Sequence, residues 1–553
     1  MLNKSGSGLK FSGIKPLTKI AGQAKALAFA TPLYDLTLMG GSPDDLHVIP
    51  TDPWPGRIDV GQDILMGRYA FAGQMIETDH LVWEPVGASK DWVLELHRFG
   101  WLRDLKAVSN DKARLVARHM ISDWIDQYDK WHDVAWQPDV LGARLSNWIG
   151  MFSFYGLSAD EGLQNKVRSS IARQTKHLAR VITDGQVDPV QSLSALKGLI
   201  YALIAIGSPK KQLEHPFKLV LEQVDRQILP DGGHVSRSPI ILARSLMILI
   251  DLRNVLNLAK LPVPEQIQHA IDRMVPALKF FRYADGGVGS FNGGYEGNAS
   301  VLDCILNLSG TRGRPLKQLD QTGYVRLRQG RGMVMVDKGM PLQQEHSRGA
   351  HAAPLSFEFA FGRERVITNC GAVSEFGEWH EALRATAAHS TLIVDQRNAC
   401  QIDQNGRFNT LPKVQSETIH NSDMCLFDGA HTGYIPRYGI THGRRLQLKE
   451  AGNILLGEDV ISGGGSGVPY TIRFHLHPTS HVSLIQNGTE ALIQTKGRNG
   501  WRMKVEGAQG LSIEDSIYIG MRQVLRRTQQ IVITGQTQAE QTVVNWGLAR
   551  IHT

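Results

Sequence analysis

Apolar side chains between about residues 90 and 310 recur three and four positions apart, the spacing that places them on one face of an α-helix. Such stripes lie at 148–155, 193–203 and 241–256. The third follows Pro239, and proline suits the first turn of a helix because the amide hydrogen it lacks has no helical partner there. The pattern predicts an α/α toroid, in which helix pairs joined by short loops surround a cleft.

Two loops between the predicted helices are rich in glycine and aspartate. They are LPDGGH at 229–234 and YADGGVGSFNGGYEGN at 283–298. Glycine lets the backbone approach a ligand closely, and loops at the ends of a rigid scaffold often carry binding residues. We therefore expect a ligand site at the helix ends that carry these loops.

The pattern changes after the linker GTRGRPLK at 310–317. From there, short runs such as YVRLRQG, GMVMVDKG, LSFEFAFG, TIRFHLH and QQIVITGQT alternate apolar and polar side chains or are continuously apolar. Gly, Asn and Asp separate these runs at hairpin-like intervals, which predicts antiparallel sheets packed as a β-sandwich. We expect an N-terminal toroid over 1–315, with 1–50 partly irregular, and a C-terminal β-sandwich over 316–553.

Length and charge limit the class of protein. A chain of 553 residues is longer than one hydrophobic core usually supports, which agrees with two domains. Its net charge of +7 favours a polyanion, whether nucleic acid, a membrane surface or an acidic polysaccharide. No stretch approaches the roughly 20 apolar residues of a membrane span, and the N-terminal apolar runs are too short for a signal peptide. We expect a cytoplasmic protein, with the periplasm as the alternative.

Seven segments, five in the β half and two in the helical half, match motifs of one family. They are AHAAPLSFEFAFGRERVITNCG at 350–371, ALRATAAHSTLIVDQRN at 382–398, DGAHTGY at 428–434, THGRRLQL at 441–448, FHLHP at 474–478, ILPDGGHVSRSP at 228–239 and RLSNWIGMFSF at 144–154. Taken in chain order over two unlike domains, they resemble the heparinase II/III-like family of polysaccharide lyases.

The resemblance implies β-elimination on an acidic glycan such as a glycosaminoglycan. A base removes the C5 proton of a uronate, the 4-linked oxygen leaves, and an unsaturated sugar remains. The site must neutralise the carboxylate and protonate the leaving oxygen. Family members use Asn or His for the carboxylate, Tyr as acid or base, and the His before the LSFE strand. The implied partner is an acidic polysaccharide and not nucleic acid, with no cofactor and no metal.

Four residues are candidate catalytic groups on this resemblance. His351 precedes the LSFEF strand and is the expected base or orienting group. His389, in the AHST segment, either faces the same cleft or pins one sheet to the other. His234 and Tyr295 lie on the two glycine-rich loops. We expect these loops to meet His351 at one cleft between the domains.

Seven further residues are candidate substrate contacts. Arginine pairs with a carboxylate or sulfate through two parallel hydrogen bonds, and aromatic rings stack on sugars. For each residue the alternative is a structural role, as a packed ring or a tie between loops. The candidates are Arg144, Asn147, Arg237, Asn292, Trp379, Arg384 and Tyr434.

The chain also departs from the family motifs. The place aligned with a family Asn-His pair, 185–199, holds neither residue, and 240–242 is Ile-Ile-Leu where a Tyr-His stands in the family. His351 is followed by Ala352 instead of Asp. Two alternatives to a lyase follow: a glycan-binding protein with weakened catalysis, and a glycoside hydrolase, which needs two carboxylic acids. Candidates for that acid pair are Asp231, Asp285 and Glu296.

Overall fold

The computed structural model describes residues 24–183, 192–340, 348–373, 379–497, 499–521 and 523–551. The first part of the chain is helical, apart from a small hairpin of β1 (Arg68–Phe71) and β2 (Gln74–Glu77). Its helices are α1 Pro32–Leu38, α2 Ile58–Leu65, α3 Lys90–Arg98, α4 Leu102–Val108, α5 Asp111–Tyr128, α6 Pro138–Gly150, α7 Phe152–Tyr155, α8 Glu161–Thr183, α9 Ser192–Ala205, α10 Lys211–Gln227, α11 Pro239–Leu258, α12 Glu265–Phe281 and α13 Ala299–Ser309.

Local sequence explains where several long helices begin. Pro138 and Pro239 occupy the first turns of α6 and α11, where a missing amide hydrogen costs nothing. Asn110 and Ser89 cap α5 and α3, because their side-chain oxygens accept backbone N–H groups of the first turn. The apolar faces of these helices share one buried core, so the sequence stripes are core positions.

Helices α6 and α9 cross with their backbones in contact. A Cβ atom on Gly198 would lie 2.1 Å from the carbonyl oxygen of Gly142, and one on Gly142 would lie 2.6 Å from the Cα of Ala195. These distances are shorter than any real carbon contact, so only glycine fits at both positions. The crossing fixes α6 and α9 as adjacent walls of the toroid.

The second part of the chain is built from antiparallel strands, with two short helices, α14 His380–Arg384 and α15 Ile435–Tyr438. The strands are β3 Gln318–Leu319, β4 Tyr324–Gln329, β5 Gly332–Asp337, β6 Phe357–Phe361, β7 Glu364–Thr368, β8 Leu392–Val394, β9 Val414–His420, β10 Met424–Tyr434, β11 Ile440–Lys449, β12 Ile454–Gly463, β13 Pro469–Leu476, β14 His481–Ile485, β15 Glu490–Gln494, β16 Gly500–Glu506, β17 Gly510–Tyr518, β18 Arg526–Gln536 and β19 Gln541–Ile551.

These strands form two sheets that pack face to face. One has the order β14-β15-β16-β19-β12-β11-β10-β9, and the other β17-β18-β13-β7-β6-β5-β4-β3, with β8 added beside β13. Strand β12 alternates buried and exposed positions along its length, as expected of a sheet with one face on the core. A second apolar core lies between the sheets, separate from the core of the helices.

The predicted fold class is confirmed: a helical toroid precedes an antiparallel β-sandwich. The last toroid helix ends at Ser309 and the first sandwich strand begins at Gln318. Most residues of the linker between them are exposed, and the predicted boundary at 315 falls within it.

Candidate functional site

A cavity of about 400 Å³ opens at the centre of the toroid. Helices α3, α6, α9 and α11 form its walls, and this volume lies within the range of small-molecule sites. The charged side chains that line it are Glu95, Arg98, Arg103, Asp139, Lys197, Arg244 and Asp251. Four cations thus face three carboxylates.

Ion pairs of 2.5 to 2.6 Å neutralise most of this charge. The pairs are Arg98 with Glu95 and Asp139, Arg103 with Asp52, and Lys197 with Asp251. Trp54 adds a further hydrogen bond, because its indole N–H donates to Asp251 at 3.0 Å. Two of these pairs join wall helices, the Arg98–Asp139 pair between α3 and α6 and the Lys197–Asp251 pair between α9 and α11.

Arg244 differs from the other cations of the cavity. Its side chain is exposed, and no carboxylate of the described residues lies within 4 Å of its guanidinium. Its Nη2 atom instead donates to the hydroxyl of Tyr295 at 3.1 Å, and this neighbour raises the pKa of Arg244. A permanently charged cation without an ion-pair partner is therefore bonded to a phenol at the mouth of the cavity.

Tyr295 reaches this position because of the glycine-rich loop before α13. Asn292 and Gly293 both have positive φ, at 48° and 76°, so the chain reverses sharply just before Tyr295. Gly294 closes the reversal by donating its N–H to the carbonyl of Phe291 at 2.8 Å. The loop predicted from its glycines thus brings a tyrosine to the cavity.

The two candidate histidines of the β half, His351 and His389, form a buried chain of hydrogen bonds behind this loop. Nδ1 of His389 lies 2.8 Å from the carbonyl oxygen of Ala385, which only accepts, so Nδ1 carries the proton. Nε2 of His389 then accepts from Nδ1 of His351 at 2.7 Å. Nε2 of His351 accepts in turn from the N–H of Gly293 at 2.9 Å. The N–H of Asn292 also approaches Nδ1 of His351, at 3.1 Å.

Both ring nitrogens of His351 are therefore occupied by protein groups. The ring is 5 % exposed, and burial lowers its pKa well below the usual value, with His389 adding to the shift. Burial likewise lowers the pKa of His389, to about 4. His351 was expected to face a cleft as a base, but the lone pair of its Nε2 atom accepts the Gly293 N–H of the loop that carries Tyr295. Its catalytic role stays a prediction.

A buried polar network continues from His351 across the junction of the two domains. Asn292 accepts the backbone N–H of His351 at 3.0 Å and donates to the carboxylate of Asp337 at 2.8 Å. The same carboxylate forms an ion pair with Arg237, and Tyr324 donates to the carbonyl oxygen of Arg237 at 2.9 Å. Arg237 and Asn292 were predicted substrate contacts, and the structure bonds both to protein groups that fasten the toroid loops to the sandwich.

His234 does not line the cavity but contacts a residue that does. Its Nδ1 accepts the backbone N–H of Ser236 at 3.0 Å, so Nε2 carries the proton and donates to Gln227, which lines the cavity, at 3.1 Å. The ring is 1 % exposed. The predicted catalytic residues thus divide into Tyr295, beside the cavity, and three histidines that are buried behind loops.

The two candidates on α6 differ in position. Arg144 is fully buried, donates to Gln174 at 2.9 Å and lies over the ring of Trp124 at 4.0 Å, and burial lowers its pKa well below the usual value. Asn147, three residues later, lines the cavity and donates to the carbonyl of Arg98 at 2.8 Å. Asn147 is therefore placed to meet a ligand, whereas Arg144 is a core residue.

The three remaining candidates lie in the β half and do not line the cavity. Arg384 is 2 % exposed and donates to the carbonyls of Ala350 and Gly406 at 2.9 and 2.8 Å. Tyr434 is buried, and its hydroxyl donates to the carbonyl of Leu392 at 3.1 Å. Trp379 is 39 % exposed. The two buried residues tie loops together, which was the structural alternative for each.

The three carboxylates proposed for hydrolysis are all held by protein groups. Asp231 accepts from Thr322 at 2.8 Å, Asp285 pairs with Arg365 at 2.7 Å, and Glu296 accepts from Tyr518 at 2.6 Å and His477 at 3.1 Å. Burial alone would raise the pKa of Glu296, but these hydrogen bonds and Arg365 lower it to about 2. A general acid needs the opposite shift, so the hydrolase alternative finds no support at Glu296.

Sequence reasoning missed the cavity cations, although the signal was present. Arg244 is the one charged residue in PIILARSLMILI, and Lys197 is alone in SLSALKGLIYALIA. A single cation inside an otherwise apolar helix must find a carboxylate or an opening in the packing. The contribution of Asp337 was not predictable, because no motif marks the residue that Arg237 pairs with.

The described residues contain no helix that is long and apolar enough to cross a membrane. They also contain no group of three His, Cys, Asp or Glu side chains arranged to hold a metal ion. Cys304, Cys370, Cys400 and Cys425 are free thiols.

The sandwich belongs to a known class of domain. Residues 311–547 match the family model described as heparinase II/III-like, C-terminal. The family that the motifs predicted is therefore confirmed for the sandwich domain.

Known structures and a curated relative extend the likeness over the whole chain. A crystal structure of heparinase III superposes with a TM-score of 0.70 at 14% identity, covering 98% of this chain and 92% of that one. Heparan sulfate lyase HepC from Pedobacter heparinus gives a TM-score of 0.57 at 14% identity, covering 99% and 92%. FtsZ-localized protein C from Caulobacter vibrioides is 29% identical, over 96% of this chain and 94% of its own length. The structures share the toroid-and-sandwich fold.

Proposed function

We propose that this protein binds an acidic glycan in the toroid cavity and cleaves it by β-elimination, with Arg244 and Tyr295 as the reacting pair. The observation that carries the proposal is the 3.1 Å contact between an exposed, unpaired guanidinium and a phenol hydroxyl. The reaction class comes from solved structures with the same fold, which are named heparinase III and heparan sulfate lyase HepC.

The chemistry divides between the two side chains. The guanidinium of Arg244 forms two parallel hydrogen bonds with the uronate carboxylate, and so stabilises the negative charge that develops when the C5 proton leaves. The hydroxyl oxygen of Tyr295 takes the C5 proton while its own proton passes to the departing 4-linked oxygen. The products are a new reducing-side hydroxyl and an unsaturated uronate, with no water added.

His351 has a positioning role in this scheme. Its Nε2 accepts from Gly293, two residues before Tyr295, and its backbone N–H donates to the side chain of Asn292. These two bonds fix the reversal that aims Tyr295 at Arg244. The family histidine thereby acts through the loop and not on the sugar.

A second candidate function is glycan binding without cleavage. The observation that favours it is the occupied ring of His351, since the family histidine here has both nitrogens bonded within the protein. The replacement of the family Tyr-His by Ile240 and Ile241 points the same way.

We also propose that the protein works at the cell-division machinery. This rests on the name of the Caulobacter relative, FtsZ-localized protein C, whose likeness covers both domains. With a fluorescent fusion, we expect a mid-cell band that is lost on FtsZ depletion. A fusion that remains evenly spread while FtsZ rings are intact would contradict this proposal.

The test of the lyase proposal is absorbance of the unsaturated uronate at short ultraviolet wavelength. A panel of heparan, chondroitin, hyaluronan, alginate and capsule glycans comes first, and Tyr295→Phe should then lower turnover on the cleaved polymer by roughly 100-fold or more, as loss of an acid–base group does. Tyr470→Phe, which alters a tyrosine of strand β13 outside the cavity, is the matched control. Binding of a panel member with no absorbance would select the binding function, and normal turnover by folded Tyr295→Phe would refute the assignment of the base.

A further inference from the structure

A second cavity, of about 340 Å³, lies in the β-sandwich domain. Its walls are the loop 397–402 after β8, residues 409–410 before β9, and the segment 433–438, which ends β10 and forms α15. It is lined by residues of the sandwich alone and shares none with the toroid cavity.

The residues that line this second cavity carry only positive charge, and the one carboxylate bonded to the lining among the described residues is that of Asp395, which accepts from Tyr438. Its ionisable lining residues other than tyrosine are Arg397 and Arg437, and none of the described residues that line it is acidic. Both arginines are exposed, and neither has a carboxylate within 4 Å among the described residues. The toroid cavity, by contrast, balances most of its cations internally. Two unpaired guanidinium groups over one cavity attract an anion.

The rest of the lining is suited to a sugar. Asn398, Gln401 and Asn409 contribute side-chain amides, which both donate and accept hydrogen bonds, and Tyr438 contributes an aromatic ring. The Tyr438 hydroxyl donates to Asp395 at 2.6 Å, which holds the ring in place. Amides, guanidinium groups and one aromatic ring are the set that recognises a ring bearing hydroxyls and a carboxylate.

The walls are fixed before any ligand arrives. Asn398 accepts the backbone N–H of Thr386 at 2.9 Å, and Tyr434 donates to the carbonyl of Leu392 at 3.1 Å. Residues 402 and 408 form an isolated antiparallel bridge that closes the neighbouring loop. A site with preformed walls loses little conformational entropy on binding.

We propose that this sandwich cavity is a second carbohydrate site, which binds an acidic sugar unit through Arg397 and Arg437. It stands apart from the proposed reaction in the toroid and does not depend on it. A glycan held here would remain attached to the protein while another of its units, or another chain, occupies the toroid cavity.

The test uses free glucuronate as the probe and calorimetry on the full chain, in a background that carries Arg244→Ala so that the toroid site is disabled. The Arg244→Ala protein, whose sandwich is unchanged, should bind glucuronate. Adding the double substitution Arg397→Ala with Arg437→Ala should weaken that binding by at least about 10-fold. Arg526→Ala, which removes an exposed arginine of β18 outside the cavity, is the control and should change nothing. Melting curves check that each variant is folded.

Glucose and acetate test separately whether the site recognises the sugar ring and whether it recognises the negative charge. Glucose has the ring without the charge and acetate the charge without the ring, so both should bind at least about 10-fold more weakly than glucuronate. Acetate binding equal to glucuronate would overturn the sugar assignment, and unchanged glucuronate binding by the double variant would overturn the site. Loss of cleavage or binding in the toroid with the sandwich site intact would refute only the proposed function.

Discussion

The toroid cavity and the domain junction both concentrate charged and polar side chains, but they use them differently. At the junction, Arg237, Asp337, Asn292 and His351 are 5 % exposed or less and bonded to one another. In the cavity, Arg244 is exposed, and among the described residues its side chain is bonded to the hydroxyl of Tyr295 alone. A polar network whose hydrogen bonds are all made within the protein stabilises the fold, whereas a cation without a carboxylate partner is available to a ligand. Family motifs pointed to both regions, including Asn147 of the cavity, whereas Arg244 is identified by its lack of an ion-pair partner.

Removing one partner of the junction ion pair should give the largest effect. Asp337→Ala leaves the Arg237 guanidinium buried without its carboxylate, which typically costs about 3–5 kcal/mol of the free energy of unfolding. Denaturant unfolding measures the loss. Asp320→Ala, which removes the exposed carboxylate that pairs with Lys338, is the control and should cost about 1 kcal/mol or less. Equal losses of unfolding free energy in the two variants would mean that the Arg237–Asp337 pair does not fasten the toroid to the sandwich.

Acid should weaken the junction before it affects the cavity. Burial lowers the pKa of His389 from 6.5 to about 4, so the unfolded chain binds one more proton between these values. The contribution of His389 is therefore complete above pH 6.5 and declines by about 1.4 kcal/mol per unit as the pH falls toward 4. His389→Gln should flatten the fall in unfolding free energy over this window, measured against exposed His119→Gln. A parallel pH profile for His389→Gln and wild type would contradict the depressed pKa.

Arg244→Ala should have an intermediate effect, confined to ligand binding. Loss of a charged hydrogen bond weakens affinity by about 10- to 100-fold, and the unfolding free energy should change little because the side chain is exposed. Titration with the panel glycan at two salt concentrations measures it, and the salt dependence should fall along with the affinity. A large loss of stability with unchanged affinity would reverse the roles assigned to the two regions.

Trp379→Ala should have the smallest effect. The ring is 39 % exposed and does not line the toroid cavity, so glycan affinity and unfolding free energy should both stay within about 0.5 kcal/mol of wild type. The same titration and denaturant curve apply. A clear loss of affinity would mean that the glycan path extends beyond the cavity to α14.

The periodicity of apolar side chains was enough to predict the fold. Each helix or strand buries one face, so each segment carries the corresponding repeat in its own sequence. The change of pattern near 315 lies between α13 and β3 for the same reason. The site was harder, since the pairing of Arg237 with Asp337 joins residues 100 positions apart and depends on how two domains dock. His351 and Asn292 were expected at one cleft, yet whether their nitrogens face solvent or each other is decided by the turn at Gly293. Part of the family comparison, 185–191, falls outside the described residues.

The glycine crossing of α6 and α9 constrains how this protein can change over evolution. Because Gly142 and Gly198 bring two backbones together with no side chain between them, the width of the cavity on that side is set by main-chain atoms. No larger residue can widen it gradually; any added methyl group would drive the helices apart at once. New specificities must therefore arise from the tips of side chains such as Asn147 and Arg244, while the frame that carries them stays the same size.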